Sequence, residues 1–288
     1  MRRLTQALCL AGLIGILAFY WRDPFDSGRL AGARVLLTGA SGGIGEEMAY
    51  HYSSLHAELV ITARKEAALQ KVMEKCLELG ARKVLYIPAD MSLPQDPERV
   101  MQFAVQELGG LDYVVLNHIG ETPYRMWEGD VDHMRWLMQV NFLSYVALAS
   151  ATLPALAKSK GSLLVVSSLT GKIPTPYTTS YSATKFALEG FFGSLRHELI
   201  MRGVDVSITL CILGLVDTKS AMEKIKGVVL SMPVASANEA ALTIIKGGVS
   251  RAREIYYPWW VKPLCHLKDW FPDQQDWVLR SFYNYSRA

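Results

Sequence analysis

The segment Val35-Leu36-Leu37-Thr38-Gly39-Ala40-Ser41-Gly42-Gly43-Ile44-Gly45 joins an apolar, strand-like stretch to a glycine turn and then to a helix start. Glycine has no Cβ. Gly39, Gly43 and Gly45 therefore let the backbone turn sharply and let phosphate oxygens approach the free amides of the helix N-terminus, Ile44 among them. Glycine turns also join strands to helices where no ligand binds, so the meaning of this one is decided downstream.

The rest of the chain repeats the strand-then-helix alternation. Strand-like runs occur near 34–39, 57–62, 83–88, 112–117, 161–167, 204–211 and 254–257, and the stretches 64–79, 132–157 and 178–202 have the length and period of crossover helices. Right-handed crossovers between such strands give a largely parallel sheet with helices on both faces. The expected fold is α/β, a Rossmann-type doubly wound parallel sheet in a single domain over 34–257. At 288 residues, half of them hydrophobic, the chain can bury a core of that size. The net charge of +3 comes with no basic stripe interleaved with aromatics, so no nucleic-acid partner is expected. Cys9, Cys76, Cys211 and Cys265 are too far apart to form a metal motif, so neither a metal site nor a structural disulfide is expected.

Both ends differ from the middle. Arg2 and Arg3 precede the uncharged run Ala7 to Trp21, which Arg22 and Asp23 end, so residues 1–21 are a targeting segment. Bulky Phe19, Tyr20 and Trp21 occupy the place of a small-residue cleavage site. That favours an uncleaved signal anchor, with the arginines cytosolic and the domain in the endoplasmic reticulum lumen; a cleaved signal peptide and a secreted form is the alternative. Residues 22–33 form a linker. The tail 258–288 mixes Trp259, Trp260, Trp270, Phe271, Trp277, Phe282, Tyr283 and Tyr285 with basic residues, a composition suited to a membrane interface or to packing over the domain or a partner subunit. Asn284-Tyr285-Ser286 is a glycosylation sequon.

Tyr181 and Lys185 lie four residues apart in a helical pattern and share one face. An ammonium close to a phenol favours tyrosinate, which brings proton transfer within reach at neutral pH. Ser168 follows the strand-like run 162–167, at the end of a strand that faces the ligand crevice of an open sheet. Together with Asn141 and the glycine turn, these residues resemble the short-chain dehydrogenase/reductase family over about 34–257. Leu116-Asn117-His118-Ile119, the run 140–145 and the run 207–215 are similar to its 11β-hydroxysteroid dehydrogenase type 1 group.

The resemblance implies hydride exchange between a nicotinamide cofactor and a carbonyl or secondary alcohol. Tyr181 would move the oxygen's proton, Ser168 would bond that oxygen, Lys185 would lower the phenol pKa and hold the ribose, and Asn141 would position a relay water. The second strand ends Val60-Ile61-Thr62-Ala63-Arg64. A carboxylate there would read a ribose 2′-hydroxyl and an arginine a 2′-phosphate, so Arg64 implies NADP(H). Relatives often carry a basic residue in the glycine loop. Ser41 and Gly42 stand there, leaving the phosphate to Arg64, Ser41 and backbone amides. Asp90 and Met91 would lie near the adenine, and Asn117, His118 and Ile119 along the adenosine half, with His118 structural. Gly214, Val216, Asp217 and Thr218 would meet the carboxamide. Tyr177 and Leu215, with Ile173, Pro174, Val228 and Val229, would make an apolar pocket for a steroid or another small lipophilic substrate. A homodimer is the implied assembly. A retinoid, lipid or xenobiotic carbonyl reductase is the alternative enzyme; an NADP-binding sensor or scaffold is the alternative of another class, against which the intact Ser168, Tyr181 and Lys185 argue.

Overall fold

All seven strand-like runs become strands of one sheet in the computed structural model, which describes residues 25–122, 124–225 and 232–283. The strands are β1 (Arg34–Thr38), β2 (Glu58–Ala63), β3 (Lys83–Pro88), β4 (Tyr113–Leu116), β5 (Ser162–Val166), β6 (Ser207–Leu213) and β7 (Glu254–Tyr257). Their order is β3-β2-β1-β4-β5-β6-β7, and every pairing is parallel. The order reverses between β1 and β4, and the carboxyl ends of those two strands open the crevice in which such sheets bind ligands.

Successive strand residues point to opposite faces, and both faces are covered, so the strands are continuously apolar. Leu36, Val114 and Val165 meet one layer of helices; Val35, Leu37 and Val115 meet the other. The first layer holds α3 (Asp96–Leu108), α4 (Val131–Met138) with α5 (Ser144–Ser159), and α6 (Thr179–Met201). The second holds α1 (Gly43–Ser54), α2 (Glu66–Glu78) and α8 (Ala237–Val249), while α7 (Lys219–Lys224) lies in the loop after β6. The stretch 131–159 is long and apolar enough to cross a membrane, but its buried Leu137, Tyr145, Leu148 and Leu156 make it a core helix of the domain.

The structure departs from the expected elements at three places. The helix foreseen at 132–157 is interrupted by a π turn, Gln139–Leu143, and runs on to Ser159, where Lys160 closes it in a left-handed conformation. The linker expected at 22–33 is docked from residue 25 onward: Asp26 caps the 3₁₀ turn Ser27–Leu30, and Leu30 and Ala33 are buried in the core. The tail expected from 258 contains α9 (Val261–Leu267) and α10 (Pro272–Ser281), which bury Val261, Cys265 and Leu279 against the domain. Cys76, Cys211 and Cys265 are buried free thiols. Cys9, the anchor segment and the sequon lie outside the described residues.

Candidate active site

A cleft of about 1030 Å³ opens over the carboxyl ends of β1, β4, β5 and β6. Its floor is the glycine turn. Gly39 and Gly43 have φ of +65° and +58°, which side chains rarely adopt. A Cβ at Gly45 would stand 2.1 Å from the Gly39 carbonyl oxygen and 2.7 Å from Asn117 Nδ2, so only glycine lets the helix begin so close to β1. Asn117 Nδ2 donates to the carbonyls of Thr38 and Gly39 at 3.3 and 3.2 Å, fixing the turn from the β4 side. Gly43 and Ile44 at the start of α1 line the cleft, where the first-turn amides of a helix lack intrahelical partners and suit a phosphate.

The resemblance-derived residues sort clearly. Gly39, Ser41, Gly43, Ile44, Arg64, Asp90, Met91, Asn117, His118, Ile119, Gly214, Leu215, Val216 and Thr218 all line the cleft with Ser168, Tyr181 and Lys185. Four others do not. Gly45 lies below the turn. Asp217 is tied by its amide to Ala235 O at 2.8 Å, off the lining. Asn141 is fully buried; its Oδ1 accepts from Gly120 N at 2.7 Å and its Nδ2 donates to Thr184 Oγ1 at 3.3 Å, so its side chain braces α6 against the β4 loop. Tyr177 is the fourth: its φ of +64° turns the ring onto Tyr283, 5.6 Å away, and it is Tyr283 that lines the cleft. Ile173 is a core residue at 1% exposure, Pro174 is exposed, and Val228 and Val229 lie outside the described residues.

His118 is held at both ring nitrogens. Its Nδ1 meets Thr38 Oγ1 at 2.9 Å and its Nε2 meets Ser144 Oγ at 2.7 Å, linking β1, β4 and α5. Burial drives its pKa down to about 3, so the ring is neutral across the physiological range.

Ser168 caps the 3₁₀ turn Leu169–Gly171, its Oγ accepting from Thr170 N at 3.2 Å. Lys185 Nζ donates to Val166 O at 2.9 Å and stands 5.6 Å from the Tyr181 ring centroid. The balance of forces on the phenol differs from the expected one. Burial dominates and pushes Tyr181 up to about 12, with the Ser168 hydroxyl pulling the other way. Lys185 is drawn down to about 7, also by burial. Tyr181 is therefore a protonated acid at neutral pH in this structure.

Several lining residues carry no local sequence signal. Lys65 stands beside Arg64, and Lys224, at the end of α7, brings a further cation to the cleft. Tyr124, Trp136, Met232 and Tyr283 supply apolar wall. Only tertiary apposition brings them together.

A family model described as short chain dehydrogenase matches residues 33–228. The chain belongs to the short-chain dehydrogenase/reductase family and is an oxidoreductase of that family. It is 64% identical over 287 residues to the hydroxysteroid 11-beta-dehydrogenase 1-like protein of Gallus gallus, covering 99% of each chain. Among solved structures, a short-chain dehydrogenase/reductase from Burkholderia phymatum in complex with NAD aligns with a TM-score of 0.76 at 19% identity, over 85% of this chain and 96% of that one. An alcohol dehydrogenase from Thermococcus sibiricus complexed with 5-hydroxy-NADP aligns with a TM-score of 0.66 at 23% identity, over 77% and 94%. At those identities the two structures establish the fold.

Proposed function

We propose that the protein is an NADP(H)-dependent oxidoreductase that interconverts a ketone and a hydroxyl on a steroid or similarly lipophilic substrate. The observation that carries the proposal is the convergence of Ser168, Tyr181 and Lys185 on one cleft whose other end is the glycine cradle flanked by Arg64. The cleft fits a dinucleotide: a Cβ at Gly39, Gly43 or Gly45 would collide with His118, Thr218 or the Gly39 carbonyl, so glycines alone build the turn that lines it, and the cleft has room for both cofactor and substrate. Arg64, Lys65 and Ser41 would hold the 2′-phosphate, with Ala63 where a carboxylate would favour NAD. When bound, the reduced nicotinamide supplies a hydride.

The chain's own residues do the rest. Tyr181, protonated at neutral pH, donates its proton to the substrate oxygen in the reductive direction. Ser168 holds that oxygen by its hydroxyl. Lys185 supplies positive charge beside the phenol, stabilising tyrosinate once the proton has left. Asn141 keeps the loop after β4 in register with α6. The apolar wall of Leu215, Met232, Trp136 and Tyr283 suits a rigid lipophilic ketone, with Thr122 and Thr175 available to orient it.

Residues 1–21 are proposed as the anchor that places this domain in the endoplasmic reticulum lumen, and the assembly as a homodimer. The exposed aromatics of the tail are proposed to meet the membrane. Trp259, Trp270 and Trp277 are 81%, 79% and 68% exposed, although the tail helices beside them are docked on the domain.

A turnover screen of the full chain with NADPH and with NADH over steroid, retinoid and xenobiotic ketones tests the proposal. Steroid ketones reduced with NADPH preference are the expected result. Preference for NADH refutes the cofactor assignment, retinoid-only turnover refutes the steroid one, and no turnover of any ketone refutes the reaction.

A further inference from the structure

Beneath the catalytic lysine lies a buried set of charges that the chemistry above does not use. Tyr181, Lys185 and Glu189 follow one another at four-residue spacing on α6, so their side chains lie along one face of the helix. Lys185 is 2% exposed, and among the described residues its one hydrogen-bond acceptor is Val166 O. An ammonium so placed has lost most of its hydration and needs a compensating charge.

Glu189 is placed to provide it. Its side chain is 11% exposed, and its carboxylate is held by Lys172, whose Nζ stands 2.7 Å from Glu189 Oε2. Lys172 enters from the turn after β5, where Gly171 permits close approach: a Cβ there would lie 2.8 Å from Ser167 Oγ and 3.0 Å from Lys185 Cβ. Lys172 also meets Glu254 of β7 at 3.1 Å, and the other Glu254 oxygen accepts from Tyr256 Oη at 2.5 Å. The remaining charged or titratable groups facing Glu189 are Arg196 of α6, Cys211 of β6 and Cys265 of α9. Lys268, just past α9, donates to Lys172 O at 2.9 Å.

Lys172 is shared by two carboxylates, and Arg196, which also faces them, spends its guanidinium hydrogen bonds on the carbonyls of Ile208 and Arg253. Glu189 Oε1 is buried with no hydrogen-bond partner among the described residues. Glu189 stands on the same helix face as Lys185, one turn away, and acts on Lys185 against the effect of burial.

We propose that Glu189 is the counter-charge of Lys185 and a positioning residue for the reaction, held in place by Lys172. Its consequence for turnover rests on the catalytic role given to Lys185 above; its electrostatic effect on Lys185 does not. The test is the titration of Lys185 in the full chain by ¹³Cε-lysine NMR, the signal assigned by its loss in Lys185→Arg, together with steady-state kinetics. Glu189→Gln is expected to lower the Lys185 midpoint by about one pH unit. Above the lowered midpoint kcat should fall about tenfold, while the substrate KM changes less than twofold. Glu189→Asp, which keeps the charge, should restore most of both.

An unmoved midpoint in Glu189→Gln overturns the proposal, whatever happens to turnover. A lowered midpoint with kcat unchanged supports the counter-charge and instead removes the catalytic role of Lys185. Folding is protected because Glu254 still pairs with Lys172 in the single variant.

Discussion

At the scale of single residues, two substitutions divide the proposed proton transfer from the proposed cofactor binding. Tyr181→Phe removes the phenol proton while leaving the glycine cradle and Arg64 untouched. Turnover should drop by about 10²–10⁴ with NADPH affinity unchanged; residual activity above about a tenth of wild type, measured beside cofactor titration, contradicts the assignment. Arg64 follows β2 directly and lines the cleft, with no carboxylate at Ala63. A charge-assisted hydrogen bond contributes about 1.5–3 kcal/mol, so Arg64→Ala should weaken NADPH binding about tenfold to a hundredfold and leave NADH nearly unaffected. Equal losses for both cofactors would exclude a 2′-phosphate contact. Arg64, Ser168, Tyr181 and Lys185 were legible in the sequence because each stands at a fixed offset from a strand end or helix turn. Tyr177 was misplaced, since a left-handed backbone at that position redirects its ring. Lys224 and Glu189 could not be read, since their partners are set by packing between distant segments.

At the scale of elements, the sheet was legible because strands buried on both faces read as unbroken apolar runs, and because each crossover is long enough to be a helix. The π turn at Gln139–Leu143 was not, since it depends on Asn141 bonding to Gly120 and Thr184 rather than on any local pattern. The two strands at the reversal point are also tied at their amino ends. Arg34 of β1 makes a paired contact with Asp112, just before β4, through Nε at 2.9 Å and Nη2 at 2.8 Å, and Asp112 also accepts from the Arg34 amide at 2.9 Å. Although burial alone would raise it, the Asp112 pKa is lowered on balance by these Arg34 contacts. A carboxylate depressed in the folded state contributes stability above its unfolded value of about 4, and that contribution is lost as pH falls through the folded value. Asp112→Asn should therefore destabilise the protein by about 1–3 kcal/mol at pH 7. In chemical denaturation the gap from wild type should close as the pH is taken below about 4. A gap independent of pH would show that the contact acts by shape and not by charge.

At the scale of the whole molecule, the docked tail and the N-terminal segment bear on one question, the side of the membrane on which the domain lies. Under the proposed function, Arg2 and Arg3 before an uncharged run ending in Phe19, Tyr20 and Trp21 would orient a signal anchor with its basic end in the cytosol. The tail buries Val261, Cys265 and Leu279 against the domain and leaves Trp259, Trp270 and Trp277 outside, so the proposed aromatic contact with the bilayer would not compete with folding. In microsomes carrying the full chain, protease should spare the domain until detergent is added, and alkaline carbonate should leave the protein with the membrane. Replacing Trp270 and Trp277 by serine should reduce binding of the anchor-deleted protein to anionic vesicles while leaving its thermal unfolding within about 0.5 kcal/mol of the parent. Release by carbonate with a new N-terminus near residue 20 would identify a cleaved signal peptide and a secreted enzyme. Digestion without detergent would put the domain in the cytosol, and the anchor would then be inserted in the opposite sense from that set by its arginines.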